Sequence, residues 1–239
     1  AVAVGVCGTD VEFFTGEMAY LHQGHASYPL RLGHEWAGTV TAAGDAVDPA
    51  WIGIRVMGDT MLGDRSCRRC QRGHQHVCEH RTEVGIRGGH PGALAEQLAV
   101  PVSSLRALPD SVDPMLGALV EPGGNAMRAV EAANLGSGDR VIVFGPGTIG
   151  LLAAMFARAA GADVHLMGRS VESLAFAQSL GFEHTWTEDT LEDAVRALWP
   201  SGGRPRLADP VLADLPAEVR AAADLLGGAL QAMTHSEGD

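Results

Sequence analysis

Apolar and polar positions change rhythm near the middle of this chain. In the first half the apolar runs are short and cut by glycine: EWAGTVTAAG from Glu35, WIGIRVMG from Trp51 and ALAEQLAV from Ala93. Runs of that length bounded by turn formers predict strands, and together they predict a small β-barrel-like domain. Between the second and third, from Gly58 to His80, Cys, His and Arg stand where apolar residues would be. That stretch is too polar to build a core alone and is expected to be held by something other than packing.

After Pro109 the pattern lengthens. Met115 to Ala133 has helical spacing, Gly136-Ser137-Gly138-Asp139 reads as a turn, and VIVF at Val141 to Phe144 reads as a buried strand. A glycine turn follows, then a helix through Ala160, a strand from Val164 to Met167, and a helix through Leu180 that stops at Gly181. This is βαβ order, the order of a parallel, doubly wound sheet. Past about residue 182 the alternation fades. Thr190 with Asp193 predicts a cap for a helix containing Leu191, Val195 and Leu198, and Pro216 predicts the start of another reaching Leu226. Trp199 to Pro210 reads as a loop with no strand to continue the sheet.

The expected fold class is therefore α/β: a β-rich domain over residues 1–115, then a Rossmann-type doubly wound sheet over 116–239, incomplete and with an atypical tail. The composition agrees, since 239 residues with 46% hydrophobic and 19% charged fit one or two globular domains. A net charge of -12 without a Lys/Arg run argues against nucleic acid or an anionic membrane surface as partner. No apolar stretch approaches the ~20 residues of a membrane span, and the first residues lack the marks of a signal peptide. A cytoplasmic protein acting on a small molecule is expected.

Four cysteines allow two disulfides, but Cys67, Cys70 and Cys78 crowd together beside several histidines, which favours metal. Catalytic zinc needs three protein ligands and one open position, so thiolate, imidazole and often carboxylate must converge from separate parts of a chain. Cys7, His34 and Glu121 can supply that set. Further on, Gly145-Pro146-Gly147-Thr148-Ile149-Gly150 follows the VIVF strand and opens a helix, the context in which G-x-G-x-x-G means dinucleotide binding. Gly145 and Gly147 allow the turn and close approach of a pyrophosphate, Gly150 lets helix pack on strand, and the amides around Thr148 and Ile149 face the negative charge.

Cys7-Gly8-Thr9-Asp10, Gly33-His34-Glu35 with Gly38, and Glu121-Pro122 resemble, in order and spacing, the zinc motifs of medium-chain alcohol and polyol dehydrogenases of the sorbitol, threonine and glucose dehydrogenase kind. The resemblance runs from about Val4 to Gly181. It implies a GroES-like catalytic domain and a hydride transfer between a secondary alcohol, polyol or sugar-like, and NAD(P). It implies Cys7, His34 and Glu121 as zinc ligands, Glu35 as an alternative ligand, Thr9 as the hydroxyl that relays the substrate proton, and Asp10 as the carboxylate that orients the imidazole. Many members carry a histidine where this chain has Glu12, so the rest of the proton path is not implied. Asp64-x2-Cys67-x2-Cys70-x7-Cys78 has the spacing of the family's structural zinc lobe, with Asp64 in place of the first cysteine. A second zinc is expected there; His74, His76 and His80 rival Asp64 as its fourth ligand, and a metal-free lobe is the alternative. At the end of the next strand, NAD-specific members place an acidic residue, whereas Gly168, Arg169 and Ser170 leave room, charge and a hydroxyl for the 2′-phosphate of NADP.

Family members carry further segments at both ends, so a truncated chain is expected, a homo-oligomer if complete. A catalytically inactive zinc- and nucleotide-binding remnant is the competing reading. A zinc-free quinone reductase is disfavoured, because it has no use for Cys7, His34 and Glu121 together.

Overall fold

The computed structural model describes residues 1–198, which form two compact units, one from Ala1 to Pro122 and one beginning at Gly123. The first contains β1 (Ala3–Gly5), α1 (Gly8–Thr15), α2 (Ala19–His22), β2 (Glu35–Thr39), β3 (Arg55–Gly58), β4 (Met61–Leu62), α3 (Arg68–Gln71), β5 (Thr82–Glu83), β6 (Leu105–Ala107) and α4 (Pro114–Ala118). Strands β1, β2, β3 and β6 form an antiparallel sheet in that order, and β4 pairs with β5. Strand β2 is buried from Glu35 to Gly38, which is why EWAG reads as a continuous run rather than an alternating one. Trp36, Val56 and Ala93 form the core, with Val4, Trp51, Leu98 and Leu105 packed around them.

Two sequence expectations need correction here. ALAEQLAV is not a strand: the N–H groups of Ala93 and Leu94 donate to the carbonyls of Gly33 (2.8 Å) and Leu32 (3.0 Å), an irregular pairing that delivers Leu98 and Val100 to the Trp36 core. Only Ala93 is fully buried, while Leu98 and Val100 are partly covered, so the apolar letters of this run mark contacts with a distant core and not a strand. The unit boundary also lies later than residue 115. Helix α4 packs on β1, β2 and β3, with Gly117 against Ala37 and Leu108, and so stays with the first unit. Helical spacing shows that a helix exists but not which sheet it covers.

The second unit contains β7 (Arg140–Phe144), α6 (Thr148–Ala159), β8 (Asp163–Met167), α7 (Val171–Ser179), β9 (His184–Trp186) and α8 (Leu191–Leu198), after α5 (Val120–Ala133), which begins at the end of the first. Strands β7, β8 and β9 are parallel and adjacent in that order. Val164 and Leu166 of β8 and Ala177 of α7 are buried against Leu151, Ala154 and Ala157 of α6, with Val141 and Val143 of β7 alongside. Three alanines on the buried side of these helices let them lie close to the sheet. Strand β9 carries the sheet beyond residue 182, where the sequence pattern faded. His184-Thr185-Trp186 is too short and too polar to read as a strand, yet each of its residues pairs with β8. The helix expected after Thr190 is α8; Thr187 and Thr190 form a capping box on the 3-10 turn Glu188–Thr190 that leads into it, in place of the expected pair of Thr190 and Asp193. The expected helix from Pro216 and the loop from Trp199 lie outside the described residues. No described helix is long and apolar enough to cross a membrane.

Candidate functional site

Cys7 caps the N-terminus of α1, and His34 and Glu35 enter β2, which pairs with β1 just before that cap. Asp10 joins the two segments. Its carboxylate, 4% exposed, accepts the N–H of Cys7 through Oδ2 and the N–H of Gly33 through Oδ1, each at 3.0 Å. The result places Cys7 Sγ 3.2 Å from His34 Nε2. Thr9 lies on the first turn of α1, and its hydroxyl draws the Cys7 thiol down against the larger effect of burial.

Glu35 completes a triad. The donor atoms of Cys7, His34 and Glu35 all lie within 4.8 Å of one another. Gly5 faces Glu35 directly in the β1–β2 register, and a Cβ there would strike the Glu35 carboxylate. Glu121, near the start of α5, is close enough to Glu35 for their charges to repel. The geometry therefore gathers Glu35 with Cys7 and His34, while Glu121 is a neighbour of the set.

Burial dominates the electrostatics. It raises the Cys7 thiol, lowers His34 and raises Glu35; the last two feel the Asp10 charge as well, which opposes the shift of His34 and adds to that of Glu35. Glu121 is pushed up to about 7, first by burial and then by the charge of Glu35. His34 Nδ1 is buried and has no hydrogen-bond partner among the described residues; it lies 3.8 Å from Asp10 Oδ1. That distance is beyond hydrogen bonding, so Asp10 acts on the imidazole through the Gly33 backbone and its charge.

Thr60 and Asp59 were not singled out by sequence. The buried Thr60 donates its hydroxyl to the His34 carbonyl at 3.2 Å and also contacts Glu121, and Asp59 adds to the charge that Glu121 feels. Both follow β3 in what reads as an ordinary turn, and no motif marks them.

In the lobe between β4 and β5, Asp64, Cys67, Cys70 and Cys78 converge, again with donor atoms within 4.8 Å. All four cysteines are free thiols, and Cys67 Sγ lies 3.7 Å from Cys78 Sγ. Asp64 Oδ1 accepts the N–H groups of Ser66 (2.9 Å) and Cys67 (3.0 Å), and its Oδ2 meets His80 Nδ1 at 2.9 Å. The Cys67 amide and His80 hold this carboxylate well below its ordinary range. His80 thus braces Asp64, and His74 and His76 stand outside the set. The Cys70 N–H lowers the Cys67 thiol, whereas burial pushes Cys70 up to about 12.

In the second unit the glycine loop turns sharply at Gly145 (φ 87°), and Gly147 caps α6. A Cβ at Gly150 would overlap the Gly145 carbonyl, so the third glycine is required by the turn itself. Thr148 and Ile149 open the helix, and no side chain occupies the cap. Gly168 follows β8 and packs on the loop: a Cβ there would lie 2.6 Å from Pro146 Cδ. Arg169 is exposed, with no carboxylate partner among the described residues. Ser170 caps α7, accepting the Ser173 N–H at 3.2 Å and donating to Glu172 Oε2 at 2.8 Å.

Comparisons with known proteins bear on the same segments. The profile of the alcohol dehydrogenase GroES-like domain matches residues 1–110. An L-threonine 3-dehydrogenase of Chelativorans sp. (strain BNC1) is 35% identical over 202 residues, 83% of this chain and 57% of that protein. The crystal structure of galactitol-1-phosphate dehydrogenase from Escherichia coli is similar with a TM-score of 0.69 and 31% identity, over 82% of this chain and 56% of that one. A protein of Sinorhizobium meliloti 1021, described as a zinc-binding dehydrogenase and solved bound to NADP, matches with a TM-score of 0.71 and 32% identity over 87% of this chain and 56% of that one. The chain spans about half the length of the curated relatives it matches. Shared sequence across both units and shared folds with these enzymes agree that the chain belongs to the zinc-dependent medium-chain alcohol and polyol dehydrogenase family.

Proposed function

We propose that this chain supplies the zinc and nicotinamide sites of an oxidoreductase that moves a hydride between a secondary alcohol, polyol or sugar-like, and NADP. The observation that carries this reading is the convergence of a thiol, an imidazole and a carboxyl in Cys7, His34 and Glu35. Sulfur, nitrogen and oxygen donors are what zinc takes at a catalytic site. Their environment fits the ion as well. Burial keeps His34 neutral, as a ligand must be, and disfavours ionised Cys7, Glu35 and Glu121 until a cation offsets their charge. We assign Cys7 and His34 as ligands, with Glu35 and Glu121 sharing the carboxylate role.

The chemistry a bound zinc supplies is Lewis acidity toward the substrate hydroxyl, so that its proton is lost near neutral pH. Thr9, on the first turn of α1 next to Cys7, would relay that proton, taking it up as its own hydroxyl proton passes on. Asp10 keeps Cys7 and His34 in register, and Thr60 steadies both the His34 carbonyl and Glu121. Asp64, Cys67, Cys70 and Cys78 would hold a second, structural zinc.

The glycine loop from Gly145 to Gly150 would receive the pyrophosphate on the α6 N-terminus. The preference for NADP rests on Gly168, which offers no carboxylate to repel a 2′-phosphate, and on Arg169, exposed and without a carboxylate partner among the described residues. Ser170 would have to turn its hydroxyl from Glu172 to join them. The relatives named L-threonine 3-dehydrogenase and galactitol-1-phosphate dehydrogenase suggest the first alcohols to try.

The test is zinc analysis combined with a rate screen over threonine, polyols, polyol phosphates and sugars with NAD and NADP, in the parent and in Cys7→Ser. Turnover that survives Cys7→Ser overturns the assignment. A protein that loads zinc and binds nucleotide but oxidises nothing in the screen supports the inactive reading instead.

A further inference from the structure

The second unit holds a cluster of metal-capable side chains that the zinc and nucleotide sites do not use. Asp163 and His165 stand two apart on β8 and so project from one face of the strand, and His184 on β9 lies opposite His165 in the parallel ladder. Their donor atoms lie within 4.8 Å of one another. Asp163 reaches both rings equally: Oδ2 is 3.6 Å from His165 Nε2, and Oδ1 is 3.6 Å from His184 Nε2. These separations are too long for hydrogen bonds. They are close to the roughly 3.3 Å between ligand atoms that share a tetrahedral ion at about 2.0–2.1 Å. His165 is 1% exposed, and its Nε2 has no hydrogen-bond partner among the described residues. Buried polar atoms are seldom left so, and this one faces the carboxylate and the second imidazole.

Three features oppose a cation, and their sizes decide the matter. Trp186 donates its indole N–H to His165 Nδ1 at 3.0 Å, which leaves the proton of a neutral ring on Nε2. A ligating histidine usually donates from its other nitrogen instead. Giving up that single net hydrogen bond weakens binding by about tenfold at most. The Arg140 guanidinium lies 3.6 Å from Asp163 Oδ2, but nearly half of each side chain is exposed, so solvent and salt screen the repulsion. Finally, the rings of His165 and His184 are stacked, with centroids 4.5 Å apart and planes 14° apart, so their Nε2 atoms do not yet point to one site. His184 is about half exposed on the last described strand and is free to turn.

We propose that Asp163, His165 and His184 bind a divalent transition metal such as zinc or nickel, tying β9 to β8. His165 changes tautomer as it binds, with the proton leaving Nε2 and Nδ1 carrying one, and Trp186 turns away from the ring.

That last change makes Trp186 the reporter. The 15N-labelled protein, given only the two equivalents of zinc that the Cys7 site and the Cys67 lobe would take, is titrated with nickel while the tryptophan indole N–H signals are followed by NMR. Trp186 is expected to respond selectively and to saturate at one added ion per chain. Asp163→Asn and His184→Ala alter partly exposed side chains and should each weaken the response at least tenfold, while the other indole signals show that the fold is intact. His22→Ala, at an exposed position of the first unit, should leave it unchanged. The proposal is overturned if Trp186 gives no saturable response, or if the response is undiminished in His184→Ala. A Trp186 signal that moves with acid but not with nickel overturns it equally, since the cluster would then hold only protons.

Discussion

Asp10 is the residue whose loss should be felt most widely in the first unit, because one buried carboxylate ties two backbone segments that carry the proposed zinc ligands. It accepts the N–H of Cys7 and the N–H of Gly33, both at 3.0 Å, and is 4% exposed. Hydrogen bonds to a charged group contribute about 1.5–3 kcal/mol each. Asp10→Ala removes both and leaves two amides without partners, a loss of about 3–6 kcal/mol. Against a typical total stability of about 5–15 kcal/mol, that brings the unit close to unfolding. Asp10→Asn keeps one acceptor and turns an amide N–H toward the other donor, so the expected loss is about 1.5–3 kcal/mol. Urea unfolding of the metal-free protein measures this, read through the fluorescence of Trp36 and Trp51 in the first unit. Zinc affinity should fall in the same variant by tenfold or more, because Cys7 and His34 are no longer held 3.2 Å apart. If Asp10→Asn unfolds at the parent's urea midpoint and binds zinc as tightly, the carboxylate does not organise the site and the reasoning fails.

Three further outcomes are expected. In the metal-free protein Glu121 is raised from 4.5 to about 7, so the folded state holds a proton that the unfolded state releases; stability should fall as pH rises through that window, by at most about 3 kcal/mol and less for its partial exposure, and Glu121→Gln should flatten the slope to what Glu35 leaves. In the lobe, Asp64→Cys should tighten the second zinc and His80→Ala should loosen it, both read by competition with a chelator; equal affinities in all three proteins would show that Asp64 is not a ligand. For the cofactor, Arg169→Leu should weaken NADP by about one to two orders of magnitude and leave NAD unchanged, as dissociation constants would show; Gly168→Asp is the poorer probe, since its Cβ would press on Pro146 and disturb the loop whichever nucleotide binds.

The parts of this protein that were legible in its sequence are those in which chemistry dictates residue identity. Zinc needs sulfur and imidazole, a tight phosphate turn needs glycine, and so Cys7, His34, the lobe cysteines and Gly145 to Gly150 announce themselves. What was not legible depends on partners distant in sequence. Strand β9 is three residues long and exists because β8 offers it a ladder. ALAEQLAV is apolar because it covers Trp36, not because it is a strand. Ser170 reads as a phosphate donor until its hydroxyl is found capping α7 and bonded to Glu172.

The choice between Glu35 and Glu121 belongs to the same class, and it shows what decides such cases. In the sequence both are glutamates beside a motif, and resemblance ranks Glu121 first. In the fold, Glu35 is brought to Cys7 and His34 by the register of two short strands, in which Gly5 pairs with Glu35 and lacks the side chain that would displace its carboxylate. Glu121 arrives on α5, outside that register, and only its charge reaches Glu35. A substitution at Gly5, which touches neither metal nor substrate, should therefore move the carboxylate role toward Glu121. In Gly5→Ala, zinc affinity should become more sensitive to Glu121→Gln than it is in the parent, and equal sensitivity in the two backgrounds would show that the register does not select the ligand.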